Sequence, residues 1–197
     1  MKIAFLGWGS LIWDIGVLKI KGCWKTDGPF LPIEFARISM DGRLTLVLYP
    51  GASRVQTLWA LSAYNDLKQA IENLACREKT SMNNIGFVNI MDNSSRCNAV
   101  PNILPTIQCW AREKKLDAVV WTDLPSNFKE EEKKELNEDN VIEYLRTLKG
   151  ETLHNAKTYI CKAPKQTKTK ILLRIMQEFG WLPINDKICC QKAKSSQ

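Results

Sequence analysis

The first apolar segment of the chain constrains the fold more than any other stretch. Ile3, Ala4, Phe5 and Leu6 form a continuous apolar run that Gly7 closes. A run without polar alternation is typical of a buried strand. We therefore expect a short core strand at the start of the chain.

The loop after this strand is unusual, because it reads Gly7-Trp8-Gly9-Ser10-Leu11. Glycine at a strand end allows another group to approach the backbone closely, or allows backbone angles that other residues avoid. A tight turn and a small-molecule cradle both fit this pattern. The two glycines do not form a dinucleotide fingerprint, since Ile12 stands where the third glycine belongs.

A serine hydrolase is a weaker interpretation of the same loop. Ser10 lacks the glycine two residues later that a nucleophile elbow requires. The single histidine, His154, falls in a predicted loop far along the chain. Nothing in the sequence brings the two residues together as a nucleophile and its base.

Composition favours one cytosolic, globular domain. The chain has 197 residues, 45% of them apolar, which is enough for one substantial core. No apolar stretch is long enough to span a bilayer, and the start of the chain has no signal-peptide pattern. We expect a cytoplasmic protein without a membrane partner.

The cysteines predict free thiols rather than a metal site. There are seven, without a CxxC pair and with one histidine in the chain, so a zinc site is disfavoured. Packing as small hydrophobic residues is the more common role of such thiols. The adjacent Cys189 and Cys190 leave a redox role open.

The net charge of +7 is concentrated near the C-terminus. Residues 157–197 hold nine Lys and Arg against two Asp and Glu, whereas residues 1–156 are balanced. This segment fits a solvated face better than a binding surface, because it lacks the interleaved aromatic residues of a single-strand platform. Its charge still leaves contact with a nucleic acid or another acidic partner open.

The remaining pattern predicts alternating short strands and helices in one mixed α/β domain over residues 1–182, with a loose basic tail over 183–197. An Asp-Gly pair predicts a hairpin between residues 33–39 and 43–49. Further strands are predicted at 57–62, 86–91, 118–124 and 158–161. Helices are predicted at 66–78, 105–115 and 168–179, the last closed by Gly180, and one or two exposed helices at 130–149 ending at Gly150.

The helix at 66–78 carries the main chemical signal. Leu67, Ile71, Leu74 and Glu78 lie four, three and four residues apart, which places them on one stripe of a helix. Glu78 thus continues the row that faces the core. Burial and the negative end of the helix dipole both disfavour the charged form of a carboxylate there, so the group is suited to take up and return a proton. Arg77 and Lys79 are expected on other faces. The alternatives are that the helix ends a turn early, or that Glu78 turns outward and pairs with Lys79.

Three segments stand in a characteristic order: Leu6–Trp13, then Pro50-Gly51 with the strand at 55–60, then Leu74–Glu78 with Gly86-Phe87. Together they resemble γ-glutamylcyclotransferases, especially the ChaC-like branch. Leu6–Trp13 resembles the loop after the first strand of that family. Leu74–Glu78, followed by Gly86-Phe87, resembles the segment that carries the catalytic glutamate. Pro50-Gly51 and the strand at 55–60 resemble the turn and strand between them. These matches keep their order over about the first ninety residues.

This resemblance implies a small mixed β-barrel with flanking helices and a cofactor-free, metal-free reaction. The α-amino group of a γ-glutamyl substrate attacks its own γ-carbonyl, which releases 5-oxoproline and an amine or peptide. Glu78 matches the acid/base glutamate, and Trp8, Gly9, Ser10 and Leu11 match the cradle for the glutamyl group. Position 8 carries Trp where the family pattern has Tyr.

The sequence leaves the leaving group and a second class of function open. Glutathione, a γ-glutamylamine and a modified nucleotide or peptide are all compatible with the matched segments. The alternative class is a non-catalytic binding protein that keeps the pocket for an anionic ligand and uses its basic C-terminal segment on an acidic partner. The oligomeric state is not predicted.

Overall fold

The computed structural model describes residues 1–184, which form two β-sheets and six α-helices. The strands are β1 (Ile3–Gly7), β2 (Ile20–Lys25), β3 (Phe30–Ile38), β4 (Leu44–Leu48), β5 (Arg54–Gln56), β6 (Leu58–Ser62), β7 (Ile85–Asn89), β8 (Ser95–Arg96) and β9 (Ala118–Thr122). The helices are α1 (Leu67–Glu78), α2 (Leu104–Glu113), α3 (Phe128–Glu132), α4 (Glu138–Thr147), α5 (Gly150–Cys161) and α6 (Lys170–Phe179).

The first strand lies inside the larger sheet, whose order is β2-β6-β1-β9-β7-β8. β1 pairs antiparallel with β6 and parallel with β9, and all five of its residues are buried. A strand paired on both sides and covered on both faces accepts an uninterrupted apolar run. The prediction of a core strand at the start of the chain is confirmed.

Side chains of β1 enter two different apolar cores, because successive residues of a strand point to opposite faces. Ala4 and Leu6 join a core that includes residues of the second sheet and of α2, α4, α5 and α6. Ile3 and Phe5 join a smaller core beneath α1. The large sheet is therefore the layer that separates the two cores.

The second sheet has three strands in the order β4-β3-β5. β3 and β4 pair antiparallel on either side of Met40-Asp41-Gly42, and Gly42 has a φ of +76°. A positive φ is readily adopted by glycine, so the Asp-Gly turn ends one strand and starts the next. The predicted hairpin is confirmed.

The family resemblance predicted a barrel that the structure does not support. Over residues 1–184 the strands form two separate sheets, and neither closes on itself. The fold of this part of the chain is mixed α/β in a single domain, as the sequence pattern predicted. The predicted tail, from residue 185 onward, lies outside the described residues, and so do Cys189 and Cys190.

Helix α5 replaces a predicted strand and a predicted loop. Thr158 to Cys161, expected as a strand, is the last turn of α5, and the exposed His154, expected in a loop, lies on the same helix. Gly150 begins this helix instead of ending the preceding one. The prediction at the next helix is confirmed, since Gly180 follows α6 in a left-handed conformation.

The charged stretch at 130–149 forms two helical segments, but one of them is not an exposed helix. α4 buries four side chains against the larger core, so the prediction of a solvated stretch is wrong for this helix. These side chains are Val141, Ile142, Tyr144 and Leu145. Their spacing is that of an amphipathic helix, which the surrounding glutamates and lysines obscure.

The thiol prediction holds at four positions and fails at one. Cys76, Cys97, Cys109 and Cys161 are free, whereas Cys23 is disulfide-bonded.

None of the helices within residues 1–184 is long and apolar enough to cross a bilayer. The same residues contain no group of three or more His, Cys, Asp or Glu side chains placed to hold a metal ion.

Candidate active site

The C-terminal turn of α1 positions Glu78. Asp66 caps the start of the helix by accepting a hydrogen bond from the Gln69 amide at 2.9 Å, and Lys79 ends it with a φ of +51°. Leu74, one turn before Glu78, is fully buried. The Glu78 side chain is 16% exposed, so the helix places a carboxylate at the edge of the apolar core, as the stripe predicted.

Arg77 contacts Glu78, although its sequence position predicted a different face. Arg77 Nη1 donates to Glu78 Oε1 at 2.6 Å, and the Arg77 side chain is 9% exposed. The long arginine side chain curls back over the helix end, which the Cβ direction alone does not reveal. The expectation that Arg77 points away to another face is therefore wrong, and so is the alternative that Glu78 pairs with Lys79.

The same guanidinium binds the loop after β1. Arg77 Nη2 donates to Ser10 Oγ at 3.3 Å and also to the Asp14 carbonyl oxygen. One turn earlier on the helix, Asn73 donates to the Val17 carbonyl at 3.0 Å. Helix α1 therefore holds this loop, and Arg77 brings together the two segments that the sequence analysis singled out separately.

The cradle residues occupy different surroundings. Trp8 is buried in the larger core and donates from Nε1 to the Leu46 carbonyl at 3.3 Å, whereas Leu11 is buried in the smaller core. Gly9 is also buried, and Ser10 is partly exposed. Ser10 and Gly9 thus lie closest to the polar groups of the site, while Trp8 and Leu11 fix the loop to the two cores.

No residue larger than glycine fits at position 9 without movement, because Tyr159 occupies the space that a side chain would need. A Cβ atom at Gly9 would lie 2.3 Å from the Tyr159 hydroxyl oxygen, far inside a normal contact. The close approach that glycine permits here is that of a phenol from α5. This explains why a strand-end loop in this chain needs a second glycine.

Tyr159 is the site residue that sequence reasoning missed. Its hydroxyl accepts a hydrogen bond from the Leu46 amide at 3.3 Å, and the Ser10 amide acts on the same oxygen. Burial, with a smaller contribution from the Glu78 charge, raises the pKa of Tyr159 to about 12. The helical spacing of Ala156, Tyr159 and Ile160, all buried, is the available signal, but the run at 158–161 also fits a strand.

The serine hydrolase interpretation of the loop has no catalytic arrangement here. The hydroxyl of Ser10 accepts from Arg77, and the described hydrogen bonds include none between Ser10 and His154. Asp123, which is buried at the end of β9, accepts from the Asn98 amide at 2.5 Å and so anchors the chain after β8. Burial raises the pKa of Asp123, which the Asn98 and Ala99 amides partly oppose.

Comparison of the chain with protein-family models, with curated proteins and with solved structures found no match. The candidate site consists of a nearly buried glutamate, an arginine that binds both the glutamate and a serine of the loop, and a protonated phenol above a glycine.

Proposed function

We propose that the protein is a γ-glutamylcyclotransferase-like enzyme that releases 5-oxoproline without a metal or an organic cofactor. The observation that carries the proposal is the bridge made by Arg77. This residue binds both Glu78, which matches the family's acid/base residue, and Ser10, which matches its glutamyl cradle. Two segments 67 residues apart in sequence thereby meet at one place.

Glu78 has a free oxygen for proton transfer. Among the described residues its hydrogen-bond partner is Arg77, which engages Oε1 and leaves Oε2 for a substrate ammonium group. A carboxylate held from one side by a nearly buried guanidinium has a fixed position but an open face. That is the arrangement a general base needs.

The reaction requires a balanced proton transfer. Glu78 takes a proton from the α-ammonium group, and the nitrogen lone pair then attacks the γ-carbonyl carbon while the carbonyl π electrons move to oxygen. When those electrons re-form the carbonyl, the bond to the leaving amine breaks and Glu78 returns its proton to that nitrogen. The second proton of the attacking nitrogen passes to water. Holding the glutamyl chain folded lowers the barrier further.

The test is 5-oxoproline release, measured by mass spectrometry from a panel of glutathione, γ-glutamyl dipeptides and γ-glutamylamines. We expect wild-type protein to release 5-oxoproline from at least one member and Glu78→Gln to lose at least 10²-fold in turnover, because Gln keeps the size but transfers no proton.

The matched control is Glu72→Gln, which changes an exposed glutamate on the same helix. We expect this variant to keep wild-type turnover. Equal turnover of wild type and Glu78→Gln would exclude Glu78 as the acid/base residue. An absence of release from every panel member would contradict the proposed activity and favour a binding role for the same site.

A further inference from the structure

The phenol of Tyr159 is the polar group of the site that the reaction above does not use. The residue is 6% exposed, and its ring is held on several sides. Trp13 and Phe35 contact it edge-on with ring centroids 5.4 and 6.4 Å away, and the Arg43 guanidinium lies 5.7 Å from the ring centre. These contacts fix the position of the hydroxyl oxygen before any ligand binds.

The phenolic proton of Tyr159 has no recorded acceptor within residues 1–184. A phenol oxygen accepts up to two hydrogen bonds and donates one. The Leu46 amide donates to Tyr159 at 3.3 Å, and the Ser10 amide acts on the same oxygen, so the accepting side of the oxygen faces backbone amides. Within residues 1–184 no recorded hydrogen bond takes the phenolic proton. Buried donors in native proteins normally have a partner, which leaves the position open for an oxygen of a ligand.

The electrostatic surroundings keep this donor protonated. With a pKa raised to about 12, the phenol retains its proton throughout the neutral range. The Glu78 charge acts on it in the same direction as burial, which shows that the two groups are close enough to influence one another. Geometry places them around the same loop: the Tyr159 hydroxyl lies against Gly9, and Arg77 joins the adjacent Ser10 to Glu78. A neutral donor and a carboxylate therefore lie on either side of one short segment.

We propose that the Tyr159 hydroxyl donates a hydrogen bond to the γ-carbonyl oxygen of the substrate and stabilises the negative charge that forms there. This inference rests on the proposed function and assigns it a second catalytic residue. As the α-amine attacks, the carbonyl π electrons move to the oxygen, and the hydrogen bond from Tyr159 strengthens without transfer of its proton. When the leaving amine departs, the electron pair on this oxygen re-forms the carbonyl bond and the negative charge disappears.

A purely structural role makes a different prediction. If the hydroxyl served only to satisfy the Leu46 and Ser10 amides, its removal would lower stability and leave the kinetic constants of the folded enzyme unchanged. A donor to the developing oxyanion instead lowers kcat and affects KM little, because the interaction is stronger in the transition state than in the bound substrate.

The experiment compares Tyr159→Phe with Tyr144→Phe. Phenylalanine keeps the ring contacts and removes one oxygen in both variants. Tyr144 is a suitable control because it is also buried and its hydroxyl donates to the Gly42 carbonyl at 2.6 Å. The recorded partner of Glu78 is Arg77 and not Tyr144. The best substrate of the panel gives kcat and KM, thermal unfolding gives the folded fraction, and calorimetry gives the Kd of 5-oxoproline, whose lactam carbonyl presents the same oxygen.

We expect kcat to fall about 10²-fold in Tyr159→Phe with KM within a few-fold, and 5-oxoproline to bind about tenfold more weakly, while Tyr144→Phe matches wild type. Unchanged kcat in Tyr159→Phe overturns the inference and leaves the proposed function standing. If wild type shows no turnover but binds 5-oxoproline through Tyr159, the inferred contact is supported and the cyclotransferase proposal fails. If wild type neither turns over the panel nor binds 5-oxoproline, both fail.

Discussion

At the scale of single residues, the site depends on one missing methyl group. The Tyr159 oxygen lies where a Cβ atom of residue 9 would be, and the ring cannot withdraw easily, because Trp13 and Phe35 pack against it. Overpacking of this kind costs typically 1–3 kcal/mol. Gly9 and Tyr159 should therefore behave as a coupled pair and not as independent positions.

We expect Gly9→Ala to lower the free energy of unfolding by roughly 1–3 kcal/mol in the wild-type background and by clearly less in the Tyr159→Phe background. Removing the oxygen relieves the closest contact, since the next atom, Tyr159 Cζ, is 3.4 Å from the added carbon. Urea denaturation of the two single variants and the double variant measures the coupling. Strictly additive costs would show that the two residues do not touch in solution.

At the scale of elements, Glu34 joins the second sheet to α6. This buried carboxylate of β3 accepts hydrogen bonds from its neighbour Phe35 at 2.8 Å and from the Ile171 amide, in the first turn of α6, at 3.4 Å. The first turn of a helix favours a negative charge. Burial nevertheless raises the pKa of Glu34, because the loss of hydration outweighs these hydrogen bonds.

A raised pKa makes the contribution of Glu34 fall with pH. Below the unfolded value, near 4.5, the group is protonated in both states and costs nothing. As the pH rises through the higher folded value, the unfolded chain ionises more readily, and stability is lost. We expect the free energy of unfolding of wild type, relative to Glu34→Gln, to decrease from pH 4 towards neutrality. Urea denaturation of both proteins at several pH values measures this difference. A difference in the free energy of unfolding that stayed constant with pH would contradict the assignment.

The elements that the sequence predicted correctly have strong local signals. The Asp-Gly turn determines the β3-β4 hairpin, and Asp66 together with the apolar stripe determines α1. The strand prediction at 158–161 is wrong because four apolar or β-branched residues fit a strand as well as the last turn of a helix. Its assignment depends on packing against the larger core, which is not visible locally. The same error hid Tyr159, while Glu78 was found because its stripe lies within one helix.

At the scale of the whole molecule, the large sheet couples two cores that share β1. Phe5 is fully buried in the smaller core, whereas Phe30, on β3, is 53% exposed. We expect Phe5→Ala to lower the free energy of unfolding by about 3–5 kcal/mol and Phe30→Ala to change it by less than about 1 kcal/mol. Chemical denaturation followed by circular dichroism measures both. Similar costs for the two variants would contradict the burial of β1.

The parallel pairing of β1 with β9 also affects how the protein is synthesised. The Lys2 amide, just before β1, binds the Asp117 carboxylate at 2.6 Å, across a separation of 115 residues. At roughly 5–20 residues per second, a ribosome needs on the order of 6–23 s to reach the partner of the first strand. During that interval β1 can pair with β6 on one side, but its other edge has no partner strand on the nascent chain. An inner strand of the finished fold is thus one whose open edge a growing chain must protect from aggregation until β9 is made.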